Sequence, residues 1–156
     1  VSALRILAKQ RVTEAQLRAR LERLGYEDED VRFAVERCRA EGYVDDALFA
    51  RFFVDCKTKA VGDARLVAEL VRRGVARDAA QQTVASAERD EESRLDDAID
   101  KLARTRSSLN YASAARALER LGFPASAIYR HLRERARLEF GDLSAAFDGN
   151  RAASED

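Results

Sequence analysis

The chain has no tryptophan, one proline, seven glycines, two cysteines and one histidine in 156 residues. So little turn chemistry argues against a sheet-rich fold, whose short connections draw on glycine and proline. An excess of one charge is also missing. Lys+Arg and Asp+Glu each number 28, so the formal net charge is zero. That balance removes the simplest signature of a nucleic-acid binder, a strongly basic domain. No apolar run approaches the ~18 residues of a membrane span, and no leader pattern opens the chain. What is present, 46% hydrophobic and 36% charged residues, predicts a soluble, mostly helical, cytoplasmic protein with a packed core.

The residues that usually carry chemistry are sparse. Cys38 and Cys56 form no CxxC or Cys/His cluster. Cys38 continues the apolar series Val31, Ala34, Val35, and Cys56 continues Phe49, Phe52, Phe53. Both therefore read as small core residues rather than redox centres. The lone His131 sits among Arg130, Arg133 and Arg135, with no convergent ligands for a zinc site. No Ser/His/Asp order and no glycine-rich phosphate loop occurs. Asp45 and Asp46 directly precede an apolar helical series, where helix capping explains them better than a metal or acid–base pair. The expectation is a protein without catalysis, metal or cofactor.

An internal repeat organises the chain. Gly25, Gly74 and Gly122 lie 49 and 48 residues apart, each after an amphipathic segment. Tyr26, Val75 and Phe123 follow them; Leu21, Leu70 and Leu118 stand four residues before, and Leu17, Leu66 and Ala114 eight before. Val31, Ala80 and Ile128 come six after, and Val35, Val84 and Leu132 ten after. Such a period marks tandem supersecondary units. Each unit reads as three helices, with the glycine as left-handed cap of the middle one and the next apolar residue packing back on the turn. Thr13 and Gln16 resemble a capping box opening the first middle helix. The first helices carry Leu4 and Leu7, then Phe49, Phe52 and Phe53, then Leu95, Ala98, Ile99 and Leu102. The predicted fold is all-α: three tandem three-helix repeats at 1–43, 44–88 and 89–140, forming an elongated, curved array. Residues 141–156 are expected to be an acidic, largely disordered tail.

Segment Gly42 to Val75 resembles the signature region of the RecX family, bacterial regulators of the recombinase RecA. The resemblance rests on Gly42, Tyr43, Val44, Asp45, Asp46, Phe49 and Ala50, then on Gly62, Glu69, Leu70, Arg73, Gly74 and Val75. The opening stretch ALRILAKQRVTEAQLRARLERLGY is similar to the family's first repeat, whereas the last repeat matches only loosely, at ARALERLGF. The resemblance covers about residues 3–138, and the start at Val1 fits a piece of a longer protein. It implies tandem three-helix repeats and a non-enzymatic protein that binds along RecA–DNA filaments and restrains them. Recombination, repair and the SOS response would feel the effect.

Binding residues follow less directly. Net charge is −1 over 1–50, +2 over 51–90, +2 over 91–140 and −3 in the tail, too little for strong binding to free DNA. On the last helix Ala125, Ile128, Tyr129, Leu132 and Ala136 share an apolar face. Arg130, Arg133 and Arg137 project away from it, within about 60° of one another. That stripe reads either as a phosphate or acidic-protein contact or as a solvated face favoured by the helix dipole. Arg23, Arg72 and Arg120 each precede a unit's glycine by two residues, where the dipole again offers an explanation. Lys57, Lys59, Arg65, Arg72 and Arg73 form a second candidate patch. Gly42, Tyr43, Asp45, Asp46, Phe49 and Ala50 read mainly as architecture at the first joint between units. The expected partners are the RecA filament and single- or double-stranded DNA, weakly if alone, with the protein a monomer away from membranes. An independent helix-turn-helix-like DNA-binding protein and a protein-only adaptor are the competing readings.

Overall fold

The computed structural model describes residues 2–56, 60–105 and 111–148, with side chains through Arg137. The described residues form nine helices and no strand. The first unit holds α1 (Ser2–Lys9), α2 (Glu14–Arg23) and α3 (Asp28–Ala40). The second holds α4 (Asp46–Asp55), α5 (Asp63–Arg72) and α6 (Arg77–Ala85), and the third α7 (Glu91–Thr105), α8 (Tyr111–Arg120) and α9 (Ala125–Asp148). Helix α9 runs past Gly141, where the sequence pattern ended the third unit, because one glycine costs a helix only about 1 kcal/mol.

Each unit has its own core. Leu17, Leu21, Val31 and Val35 close around Ala3, Val12, Cys38 and Val44 in the first. Leu66, Leu70, Ala80 and Val84 do so with Ala50, Val54, Val61 and Val75 in the second. Ala114, Leu118, Ile128 and Leu132 do so with Leu95, Ala98, Ile99 and Phe123 in the third. The four periodic positions of the middle and third helices are thus buried in all three units. Burying a large aliphatic side chain at such a site stabilises by roughly 1.5–3 kcal/mol.

The first helices differ from their sequence pattern. Leu4 and Phe52 are exposed, and Ala3, Ala50 and Val54 fill the core in their place. The Arg11 guanidinium covers the Phe52 ring at 4.0 Å, so a cation–π contact replaces burial. Cys56 is exposed at the end of α4 rather than in the core, whereas Cys38 is buried, and both thiols are free. Burial pushes the Cys38 thiol pKa up.

The repeated turns share one geometry. Gly25, Gly74 and Gly122 have φ of 83°, 95° and 88°, in the left-handed region that glycine enters without penalty. The next amide reaches back to the middle helix: Tyr26 N donates to Leu21 O, Val75 N to Leu70 O and Phe123 N to Leu118 O. This is the six-to-one bond of a Schellman cap. Gly42 closes α3 in the same manner, with Tyr43 N donating to Cys38 O at 2.8 Å. Val75 and Phe123 pack inward as expected, but Tyr26 is exposed and its hydroxyl meets Ser2 Oγ at 2.7 Å.

The joints between units also repeat. At the first, Glu14 N donates to Asp46 Oδ1 at 2.8 Å, and Thr13 Oγ1 donates to Arg73 O. At the second, Asp63 N donates to Glu91 Oε1 at 2.7 Å, and Gly62 N donates to Leu121 O at 3.0 Å. Each time, the N-terminus of a middle helix finds the acid that opens the first helix of the following unit and the carbonyl just before that unit's glycine. At each joint an orphan helix-start amide, Glu14 N or Asp63 N, is thereby satisfied across a unit boundary. Backbones approach closely enough to demand glycine: a Cβ on Gly74 would lie 2.3 Å from Ala15 Cβ, and one on Gly122 would lie 2.6 Å from Arg65 Cβ. The third residue, Gly62, faces Gly122 O at 2.1 Å from its own would-be Cβ.

Candidate functional site

The motif at Gly42–Ala50 resolves into local architecture. Asp45 caps α4 by accepting from Leu48 N at 2.8 Å, leaving Asp46 for the joint. Burial raises the Asp46 carboxyl pKa, outweighing the hydrogen bond from the Glu14 amide. Glu91 at the second joint is raised by burial in the same way, against the Asp63 amide. Phe49 is half-buried and stacks on Phe53 at 6.3 Å. Ala50 is fully buried, and Tyr43 is exposed on the rim of a small hollow with Leu7, Val12 and Phe49.

The candidate patch of Lys57, Lys59, Arg65, Arg72 and Arg73 is divided by the fold. Arg65 turns into the second joint, where Nη1 donates to Arg120 O at 2.9 Å and Nε to Glu69 Oε1 at 3.2 Å. Arg73 donates to Glu69 O at 2.9 Å and lies 4.4 Å above the Phe53 ring. Arg72 is exposed, and Lys57 and Lys59 lie outside the described residues. The heptad spacing of Arg65 and Arg72 placed them on one side, but only tertiary packing could show that Arg65 is drawn into a joint.

The arginine stripe of Arg130, Arg133 and Arg137 lies on α9 and is also sorted. Helix α7 carries Glu92, Asp96 and Asp100 one turn apart, and they pair with Arg130, His131 and Arg135 of α9. The His131 Nδ1 to Asp96 Oδ1 distance is 2.7 Å. Buried Arg94 pairs with Asp63 and donates to Arg89 O, tying α7 to the second unit. The acid spacing on α7 was visible in the sequence as an i, i+4, i+8 series; its basic partners were not, since they stand on a separate helix.

What remains on the outer side of α9 is an open hollow of ≈ 620 Å³ lined by Ser126, Tyr129, Arg130, Arg133, Glu134 and Arg137. Arg133 and Arg137 are exposed and make no ion pair among the described residues. Tyr129 belongs to this surface rather than to the apolar face the pattern gave it. Ala127, Ile128 and Leu132 form the buried seam instead, and Ala125 is exposed. Tyr111 of α8 stacks on Tyr129, with ring centroids 6.0 Å apart and planes at 26°. Neither tyrosine stood out in the sequence as a candidate, because their pairing needs the α8–α9 contact. Among the described residues no group of His, Cys, Asp and Glu is arranged to hold a metal ion, and no helix is long and apolar enough to cross a membrane.

Comparisons with known proteins agree with one another. The family model for RecX, first three-helix domain, matches residues 1–38. Regulatory protein RecX of Thermus thermophilus is 36% identical over 123 residues, covering 78% of this chain and 81% of that protein. Regulatory protein RecX of Deinococcus radiodurans is 36% identical over 141 residues, covering 87% of this chain and 67% of that protein. The crystal structure of RecX from Lactobacillus salivarius has the same fold, with a TM-score of 0.74 at 17% identity over 85% of this chain and 91% of that one.

Proposed function

The chain belongs to the RecX family, and from that premise we propose that it lies along RecA–DNA filaments and lowers their ATP turnover and strand exchange. It does so by contact alone, without chemistry of its own. The observation that carries this reading is the repeated joint. Two homologous sets of hydrogen bonds hold three units in a fixed series, so the units present their outer faces at set intervals to a target that is itself a repeating array. Once one unit is bound, the next meets its own contact at high effective concentration. DNA is the second partner, and the exposed Arg72, Arg133 and Arg137 are the contact residues. With a formal net charge of zero, affinity for DNA alone is weak, and the protein acts as a monomer in the cytoplasm.

The test is DNA-dependent ATP turnover by the cognate RecA on single-stranded DNA, titrated with the folded protein. A fall at well below one copy per RecA subunit is the expected result. Unchanged turnover at excess protein would overturn the reading.

A further inference from the structure

We propose that the hollow on α9 is a subsite for an unpaired nucleobase and its flanking phosphates, so that the third unit grips single-stranded nucleic acid directly. The inference deepens the filament reading by giving the nucleic-acid contact a place and a chemistry.

Three observations converge on the hollow. The first is aromatic. Tyr129 and Tyr111 stay 41% and 46% exposed although they stack on each other. The core beside them is otherwise built from aliphatic residues and Phe123. Mutual stacking holds the Tyr129 ring in place, so a base that stacks there has little side-chain freedom to remove. The second is charge. Arg130 is neutralised by Glu92, but Arg133 and Arg137 stand one and two turns beyond Tyr129 with no carboxylate paired to them among the described residues. Guanidinium groups in that position match a sugar–phosphate chain leading away from a stacked base. The third is the rest of the lining. Glu134 repels an occupant made only of phosphates, while its carboxylate accepts from a ring N–H or exocyclic amino group of a base, and Ser126 adds a hydroxyl.

A duplex does not fit this chemistry, because its base faces are covered by neighbouring pairs and only an unpaired base offers a π-face. The hollow, at ≈ 620 Å³, is within the usual range of small-ligand sites.

The chain lacks tryptophan, so Tyr129→Trp supplies a fluorophore that reports on this ring alone. At low salt, a short oligothymidylate should quench it, while an abasic strand of equal length should leave it largely unchanged. Tyr129→Leu should weaken binding of the oligothymidylate by about five- to a hundredfold, and Tyr129→Phe should retain it. Far-UV circular dichroism confirms that each variant is folded. Equal quenching by the abasic strand, or none by either strand, would overturn the subsite. Suppression of RecA turnover by the same preparations is read separately. Quenching without suppression keeps the subsite and sinks the filament reading, and suppression without quenching does the reverse.

Discussion

The Asp46 carboxylate accepts the Glu14 amide at 2.8 Å across the boundary between the first two units, and this bond has a direct counterpart between Glu91 and the Asp63 amide at 2.7 Å. Both carboxyls have pKa values raised by burial. They therefore carry opposing contributions: the acceptor oxygen satisfies a helix-start donor, and the partly desolvated charge works against it.

Substitution separates the two contributions. Asp46→Ala removes the acceptor and should cost about 1–3 kcal/mol. Asp46→Asn keeps an acceptor oxygen and discards the charge. Because the folded carboxyl pKa lies above its unfolded value, protonation favours the folded state. That stability is fully present below the unfolded pKa and is lost as pH rises through the folded one. Asp46→Asn should thus be more stable than the parent at neutral pH, and the gain should fade as pH falls into the ordinary carboxylate range. Urea unfolding at several pH values checks this, and a gain that grows on acidification would contradict it.

The glycine turns give a second prediction. Gly25 and Gly122 have φ of 83° and 88°, so alanine at either position meets the same left-handed strain of roughly 1–2 kcal/mol. Only Gly122 also faces another unit, with Arg65 Cβ 2.6 Å and Arg65 N 3.1 Å from its would-be Cβ; Gly25 has nothing within 4 Å. Gly122→Ala should therefore destabilise more than Gly25→Ala, by at least a further ~1 kcal/mol for the forced separation at the joint. Thermal melts of the two variants decide it; equal losses would mean the joint yields without cost.

The arginines should separate into two classes. Arg65 is committed to Arg120 O and Glu69, so Arg65→Gln should lower the melting temperature and leave affinity for filaments largely intact. Arg133→Gln with Arg137→Gln should leave the melting temperature unchanged, since neither residue has an ion-pair partner among the described residues. If each contacts one phosphate of a single strand, the double variant should flatten the slope of log affinity against log salt by about 1.4. An unchanged slope would remove both from the interface.

Much of the fold was legible because a helix shows its buried face as a period. Leu17, Leu66 and Ala114, like Leu21, Leu70 and Leu118, are buried where the 48- and 49-residue spacing put them. The same period cannot say what covers a second stripe. Leu4 and Phe52 have helical spacing but sit outside the cores, and Arg11 rather than a core covers Phe52. The candidate site was less legible for a related reason. Projection placed Arg130, Arg133 and Arg137 on one side of α9, yet Glu92 on α7 withdraws Arg130, and Tyr111 on α8 completes the ring pair. Contacts between helices carry that information, and one helix's spacing does not.

The pairing of α7 with α9 has its own signature. Glu92–Arg130, Asp96–His131 and Asp100–Arg135 form a ladder of three, and all but the His131 ring are well exposed. Pairs in such water contact contribute about 0.2–1 kcal/mol each and are screened by salt. The first two units hold no comparable ladder among the described residues; their ion pairs run mainly within helices, as in Arg37–Glu41 and Arg65–Glu69. Glu92→Gln with Asp100→Asn should therefore cost less than about 2 kcal/mol at low salt. At about 1 M salt, where the Debye length is near 3 Å, most of that cost should vanish. Hydrogen exchange of α9 amides, followed at both salt concentrations, reads the third unit alone. A loss of protection that persists at high salt would mean that these side chains hold α7 and α9 together by packing their stems rather than by charge.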